Sequence, residues 1–255
     1  MKLLTTICAL FMFGSCTGWV IELFYRRAAH GKWINPGFLT GPCLPLYGNG
    51  VLLLYGFCSL DWSFIPSPTW QKVVLIAALA VALTGIEFLA GEIFTRIFHV
   101  KLWDYSTRWG NVDGVICPLF SLIWAAVGAL YVLLLHPHLA GFVAWLAENP
   151  IYNFFSGIYV GIFVVDIGYS FHVVSKIREV AKERQILVRY ENFKLSIARH
   201  REALRQKRNF VFPFHSRGGL LKELEQYIRG ERGEREDKSA SASASAGQIP
   251  ETQDK

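Results

Sequence analysis

An all-α, polytopic membrane protein with about five transmembrane helices is the fold this sequence predicts, and three observations carry it. Of its 255 residues, 52% are hydrophobic and only 18% are charged. Apolar runs near the roughly 20 residues that a bilayer-spanning helix needs recur five times. The charge is segregated: residues 1–175 hold 8 basic and 8 acidic groups, residues 176–208 hold 11 and 4, and residues 209–255 hold 7 and 8. The formal charge of +6 therefore comes from one 33-residue block and does not describe a nucleic-acid-binding protein. A soluble enzyme is an equally poor fit to the neutral, apolar front part.

The five expected spans are Leu3–Tyr25, Phe38–Leu60, Val73–Ile97, Val115–Leu135 and Tyr152–Val174. Trp33, Trp62, Trp70, Trp103, Trp109 and Tyr152 mark their ends, where amphipathic rings prefer to sit. Arg26, Arg27 and Lys32 follow the first span, Arg96, Lys101 and Arg108 surround the third loop, and the basic block follows the fifth. The positive-inside rule then places the N-terminus outside and the C-terminus in the cytoplasm of a cell-membrane, multi-pass protein. A cleaved signal peptide ending near Gly14-Ser15 is the competing reading of the first span. It would put all three basic regions outside, so an uncleaved helix is expected. Cys8, Cys16, Cys43, Cys58 and Cys117 lie in or beside apolar runs without metal-ligand spacing, and read as packing residues. No metal or other cofactor is expected.

Four acids stand out. Glu22 and Arg26, and Glu92 and Arg96, share a helix face at i and i+4 where their helices leave the hydrocarbon. They read as structural pairs, with the carboxylates also candidates for a substrate or ion pathway. Glu87 lies deeper, and Asp166 sits mid-span; each is costly unless paired, protonated or facing a polar cavity. For both, a pathway and an interhelical hydrogen bond are the two readings. Trp33 follows Arg26 by seven residues, as Trp103 follows Arg96, and Asn35 and Asn111 come next. This suggests a parallel two-helix repeat over 14–60 and 84–136. The stretch Asn35–Gly50 is too rich in Gly and Pro for one regular helix, and irregular backbone at membrane depth belongs inside protein. It is expected to face the acids.

Several strings resemble a known family: Gly18-Trp19-Val20-Ile21-Glu22, Trp33-Ile34-Asn35-Pro36-Gly37-Phe38, Gly41-Pro42-Cys43-Leu44-Pro45-Leu46-Tyr47-Gly48, Glu87 and Glu92, Trp103-Asp104-Tyr105-Ser106, and Asn111-Val112-Asp113-Gly114. The family is the bacterial putative ABC-transporter permeases, the CmpB-like type IV membrane proteins. The likeness covers about residues 14–136. It departs at Pro36, where the family pattern has a basic residue. The resemblance implies a transporter subunit, with Asn35, Asp104 and Asn111 joining the acids as candidates and Trp33, Gly41, Pro42, Pro45, Tyr47, Gly48, Trp103 and Tyr105 as motif positions. No Gly-x-x-x-x-Gly-Lys-Ser/Thr loop is present, so an ATP-binding subunit would be a separate chain.

Residues 176–208 read as one long charged helix, with Ile186, Tyr190, Phe193, Ile197, His200 and Leu204 at heptad spacing. That seam suits a short coiled coil or a partner's groove. Leu220–Ile228 is expected to form a short amphipathic turn or two within a cytoplasmic tail ending at 229, and 230–255, with its Ser-Ala repeat, to be disordered. Three functions remain open: a permease subunit, a scaffold or regulator recruiting a partner through the tail, and an intramembrane enzyme acting on lipid at the cytoplasmic interface. No recognised catalytic motif supports the last. Partners expected are the bilayer and, through Gly157-Ile158-Tyr159-Val160-Gly161, a second copy; nucleic acid is not among them.

Overall fold

A computed structural model describes residues 2–183, 187–203, 224–225 and 227–229. Helix α1 (Lys2–His30) is followed by irregular chain, then α2 (Pro45–Cys58), α3 (Pro68–Glu92), α4 (Pro118–Leu130), α5 (His136–Glu148) and α6 (Tyr152–Glu183). Pro45, Pro68 and Pro118 open their helices, where a missing N–H costs nothing. Gly31, at φ +68°, ends α1 in the left-handed conformation that suits a glycine cap. A widened turn, Ile93–Ile97, extends α3, and another, Tyr131–Leu135, joins α4 to α5.

Four helical rods are long and apolar enough to cross a membrane: Leu3–His30, Pro68–Ile97, Pro118–Glu148 and Tyr152–Glu183. Two departures from the expected spans have clear causes. The fourth span was expected to end at Leu135, yet the helix runs on through His136-Pro137-His138 to Glu148. Pro137 cannot donate a backbone hydrogen bond, and the widened turn just before it absorbs that loss without breaking the rod. The second segment is helical only over Pro45–Cys58, about 21 Å at 1.5 Å per residue. Residues 31–44 are irregular, as their Gly and Pro content requires.

Helices α1 and α2 pack closely, as do α3 and α4, and α2 lies against α3. Small residues bring α1 to α2. A Cβ at Gly14 would meet Val51, one at Gly18 the Tyr47 ring, and one at Gly48 the Ser15 hydroxyl. Gly14-x-x-x-Gly18 is therefore the close-approach motif that the chain uses internally. Gly157 and Gly161, by contrast, have open space around them. One apolar cluster holds Leu10, Leu54, Leu79, Leu83, Tyr131 and Leu139. At the opposite end of the bundle a second cluster gathers Phe94, Val100, Val174, Ile177, Val188, Phe193 and Leu224.

That second cluster overturns the single long tail helix. Helix α6 stops at Glu183, strand β2 (Val188–Arg189) pairs in parallel with β1 (Val100–Lys101), and α7 (Tyr190–Ala203) follows. Tyr190, Phe193 and Ile197 are buried against the chain's own α6 and β1, so that part of the heptad seam is already covered. A straight helix would have left these apolar side chains in water; folding back buries them. Leu224, Tyr227 and Ile228 join the same core. Ile186, Leu204, the His200 side chain and residues 230–255 lie outside the described residues.

Candidate functional site

Two of the expected acids meet in one polar cluster between the helical hairpins. Glu87, on α3, is 3% exposed. Its carboxylate accepts a hydrogen bond from Tyr105 Oη at 3.2 Å and from Trp124 Nε1 at 2.8 Å. Glu22, on α1, accepts from Tyr47 Oη at 3.1 Å and pairs with Arg26 at 3.2 Å. The Tyr47 and Trp124 rings lie 6.0 Å apart, and Tyr105 stacks on Phe120 at 4.3 Å. Burial first, then the Glu87 charge and hydrogen bond, then Glu22 and Tyr47, hold the Tyr105 hydroxyl in its protonated form. A phenol and an indole, both neutral, thus donate to Glu87, and each hairpin contributes one carboxylate.

Asp166 has a different task. It accepts from Thr40 N at 3.1 Å, Gly41 N at 3.0 Å and Ser170 Oγ at 3.2 Å, and is bonded closely by Thr40 Oγ1. The irregular stretch does face an acid, as its composition requires, and the acid is the anchor of that stretch. Asn35 organises the stretch from within: its Nδ2 donates to Leu39 O and Thr40 O, and its Oδ1 accepts from Trp19 Nε1 at 2.6 Å. A Cβ at Gly41 would crowd the Asp166 carboxylate, Pro42 is exposed, and Pro45 and Gly48 start and pack α2. Pro36 is fully buried, and the basic side chain at this point is that of Lys194, whose Nζ donates to Asn35 O at 2.9 Å and Gly37 O at 2.5 Å.

The remaining candidates organise the second loop and the surface. Asn111 donates to Ser106 O and Arg108 O and accepts from Gly114 N. Trp103 donates to Val115 O at 2.8 Å. Trp33 stays half exposed, with Arg27 5.7 Å from its ring. Glu92 pairs with Arg96, which is 72% exposed. Asn35 and Asn111, or Trp33 and Trp103, are therefore not equivalent in what they do.

Asp104 pairs with Lys101 at 3.1 Å and with Arg189 of β2 at 3.1 Å. Burial opposes its charge, but the Ser106 N–H and Lys101 outweigh that and hold its pKa below the ordinary carboxylate value. A depressed carboxylate contributes stability above the unfolded value of about 3.9, which is lost as pH falls through the lower folded value. Acidification below about pH 4 should loosen the 98–117 loop from β2. Hydrogen exchange at Val100–Lys101 against pH checks this, and flat protection down to the acid limit would contradict it.

Trp124, Thr40, Lys194 and Glu191 were not among the sequence candidates. Trp124 carries no motif signal. Thr40 falls between two of the quoted strings. Lys194 and Glu191 were hidden in the basic block, where every charge looks solvated. Among the described residues, no group of three His, Cys, Asp or Glu side chains is placed to hold a metal ion.

The model of the family described as putative ABC-transporter type IV matches residues 9–171, from within α1 to within α6. Comparisons with curated proteins and with solved structures return no match.

Proposed function

The chain belongs to the putative ABC-transporter type IV family, and from that premise we propose that it is the membrane-embedded permease subunit of a transporter. In this reading the basic end faces the cytoplasm, the N-terminus lies outside, and a separate ATP-hydrolysing chain supplies the energy. The chain itself carries out no covalent chemistry. The observation that supports the reading most is Glu87. A carboxylate inside an apolar bundle is costly, and such residues mark substrate or ion pathways by default. Here its donors are the neutral Tyr105 and Trp124, so its charge remains available to a cation or proton. Glu22 supplies a second carboxylate from the other hairpin.

A scaffold recruiting its partner through the α7 seam has less support, because Tyr190, Phe193 and Ile197 are already used in the chain's own core. Purification from native membranes in mild detergent tests the permease reading. An ATPase activity should co-purify and be lost when this chain is deleted. Recovery of the protein without any nucleotide-hydrolysing chain, under conditions that keep a known membrane complex intact, would remove the reading's support.

A further inference from the structure

The tail contacts fall on both loops that serve the two carboxylates, and each contact is specific. Glu191 of α7 pairs with Arg26 at 2.7 Å and bonds His30 at 2.8 Å. Arg26 is 8% exposed and is also the partner of Glu22, so Glu191 and Glu22 share one guanidinium. Three residues further on, Lys194 is 6% exposed and holds the carbonyls of Asn35 and Gly37, with its Nζ 4.6 Å from the Tyr190 ring centroid. Residues three apart share a helix face, so one side of α7 carries a tie to the end of α1 and a tie to the first loop. Strand β2 ties the second loop. Val188 N donates to His99 O at 3.1 Å, β2 pairs with β1, and Arg189 reaches Asp104. Asp104 is the neighbour of Tyr105, which donates to Glu87.

One segment of about ten residues therefore touches the neighbours of both acids. The ties are of unequal kind. The strand pairing is backbone hydrogen bonding backed by the apolar core around Phe193, whereas Lys194 and Glu191 make side-chain polar contacts that are directional and few. A buried lysine is costly to desolvate, and here two backbone carbonyls offset part of that cost. We propose that β2 and α7 form a strap that closes the basic end of the bundle over Glu22 and Glu87, so that its release opens the two carboxylates to that side. The strap takes the acid pair as a site, as the permease reading does, but needs neither a substrate nor an ATPase to be tested.

The test uses the full chain in inside-out membrane vesicles. The variant K194M with E191Q removes the polar ties to the first loop and to the end of α1 and keeps side-chain bulk. A water-soluble carbodiimide with an amine nucleophile labels accessible carboxyls, and peptide mass spectrometry reads Glu87. Hydrogen exchange at 190–203 reads docking of the strap. The expected result is faster exchange in α7 together with a roughly ten-fold rise in Glu87 labelling, as a shift of the closed population requires. A second variant, K101C with R189C in a background without other cysteines, joins the registered pair of β1 and β2 through a short reducible cross-linker. Cross-linking should hold labelling at or below the unmodified level, and reduction should restore it. If α7 exchanges faster while Glu87 labelling stays unchanged, the strap does not control access. If exchange in α7 stays unchanged in the double variant, these contacts do not hold the strap. Either outcome overturns the proposal, whether or not an ATPase co-purifies with the chain.

Discussion

Glu87→Gln is expected to leave the helical bundle folded and to reduce substrate-dependent flux or substrate-stimulated ATP hydrolysis in the reconstituted complex by about a hundred-fold or more. The asymmetry follows from the partners. Glutamine keeps a carbonyl oxygen for Trp124 Nε1, and its amide can donate to the Tyr105 hydroxyl oxygen. The hydrogen-bond inventory is thus nearly conserved, and the loss in stability should be on the order of 1 kcal/mol. The charge and the titratable proton are gone, and a cation or proton pathway needs one of them. Glu87→Leu separates the two effects further. It leaves a partly buried phenol and a partly buried indole without their acceptor, each costing on the order of 1 kcal/mol, so that variant should lose both stability and activity. Arg96→Gln is the control. Arg96 is 72% exposed, and its pair with Glu92 should be worth less than about 1 kcal/mol. Thermal melting in detergent and flux in proteoliposomes check all three. Full activity in a folded Glu87→Gln protein would remove Glu87 from the pathway.

What the sequence made legible here, and what it did not, divides along a physical line. Apolar length is additive along the chain, so the rods containing α1, α3 and α6 could be read from composition. The broken second segment was legible because Gly and Pro act locally on their own backbone. The tail was misread for the opposite reason. Its fold depends on Val188 pairing with Val100 and on Phe193 joining the same apolar cluster as Phe94 and Val174, residues from other elements of the chain. A heptad spacing says that Tyr190, Phe193 and Ile197 share a face, but not whose surface covers it. The acids show the same division. Depth and isolation singled out Glu87 and Asp166, yet their roles differ because their partners do. Glu87 is held by side chains from the second hairpin, Asp166 by the backbone of a loop more than a hundred residues away. No local pattern distinguishes those two environments.

Asp166→Ala should therefore be the most destabilising single change in the acid set. Removing the carboxylate leaves Thr40 N, Gly41 N and Thr40 Oγ1 without the acceptor they now share. Buried donors stripped of a charged acceptor cost about 1–3 kcal/mol each, and the contacts are not additive, so a total loss of roughly 3–5 kcal/mol is expected. The damage should spread. Residues 39 and 40 also supply the carbonyls that Asn35 holds, and Asn35 in turn accepts from Trp19 and supplies a carbonyl to Lys194. Loss of one anchor thus loosens the first loop against α1 and against α7 together. Asp166→Asn should be milder. Its amide oxygen still accepts from one backbone N–H, but its NH2 group is set against the other donors, so about half of the loss is expected. Limited proteolysis near Lys32 and Phe38, set beside melting temperature, reads loop release separately from bundle unfolding. If Asp166→Ala melts like the unaltered protein and resists cleavage at both positions, the loop is held by its own packing and the carboxylate does not anchor it.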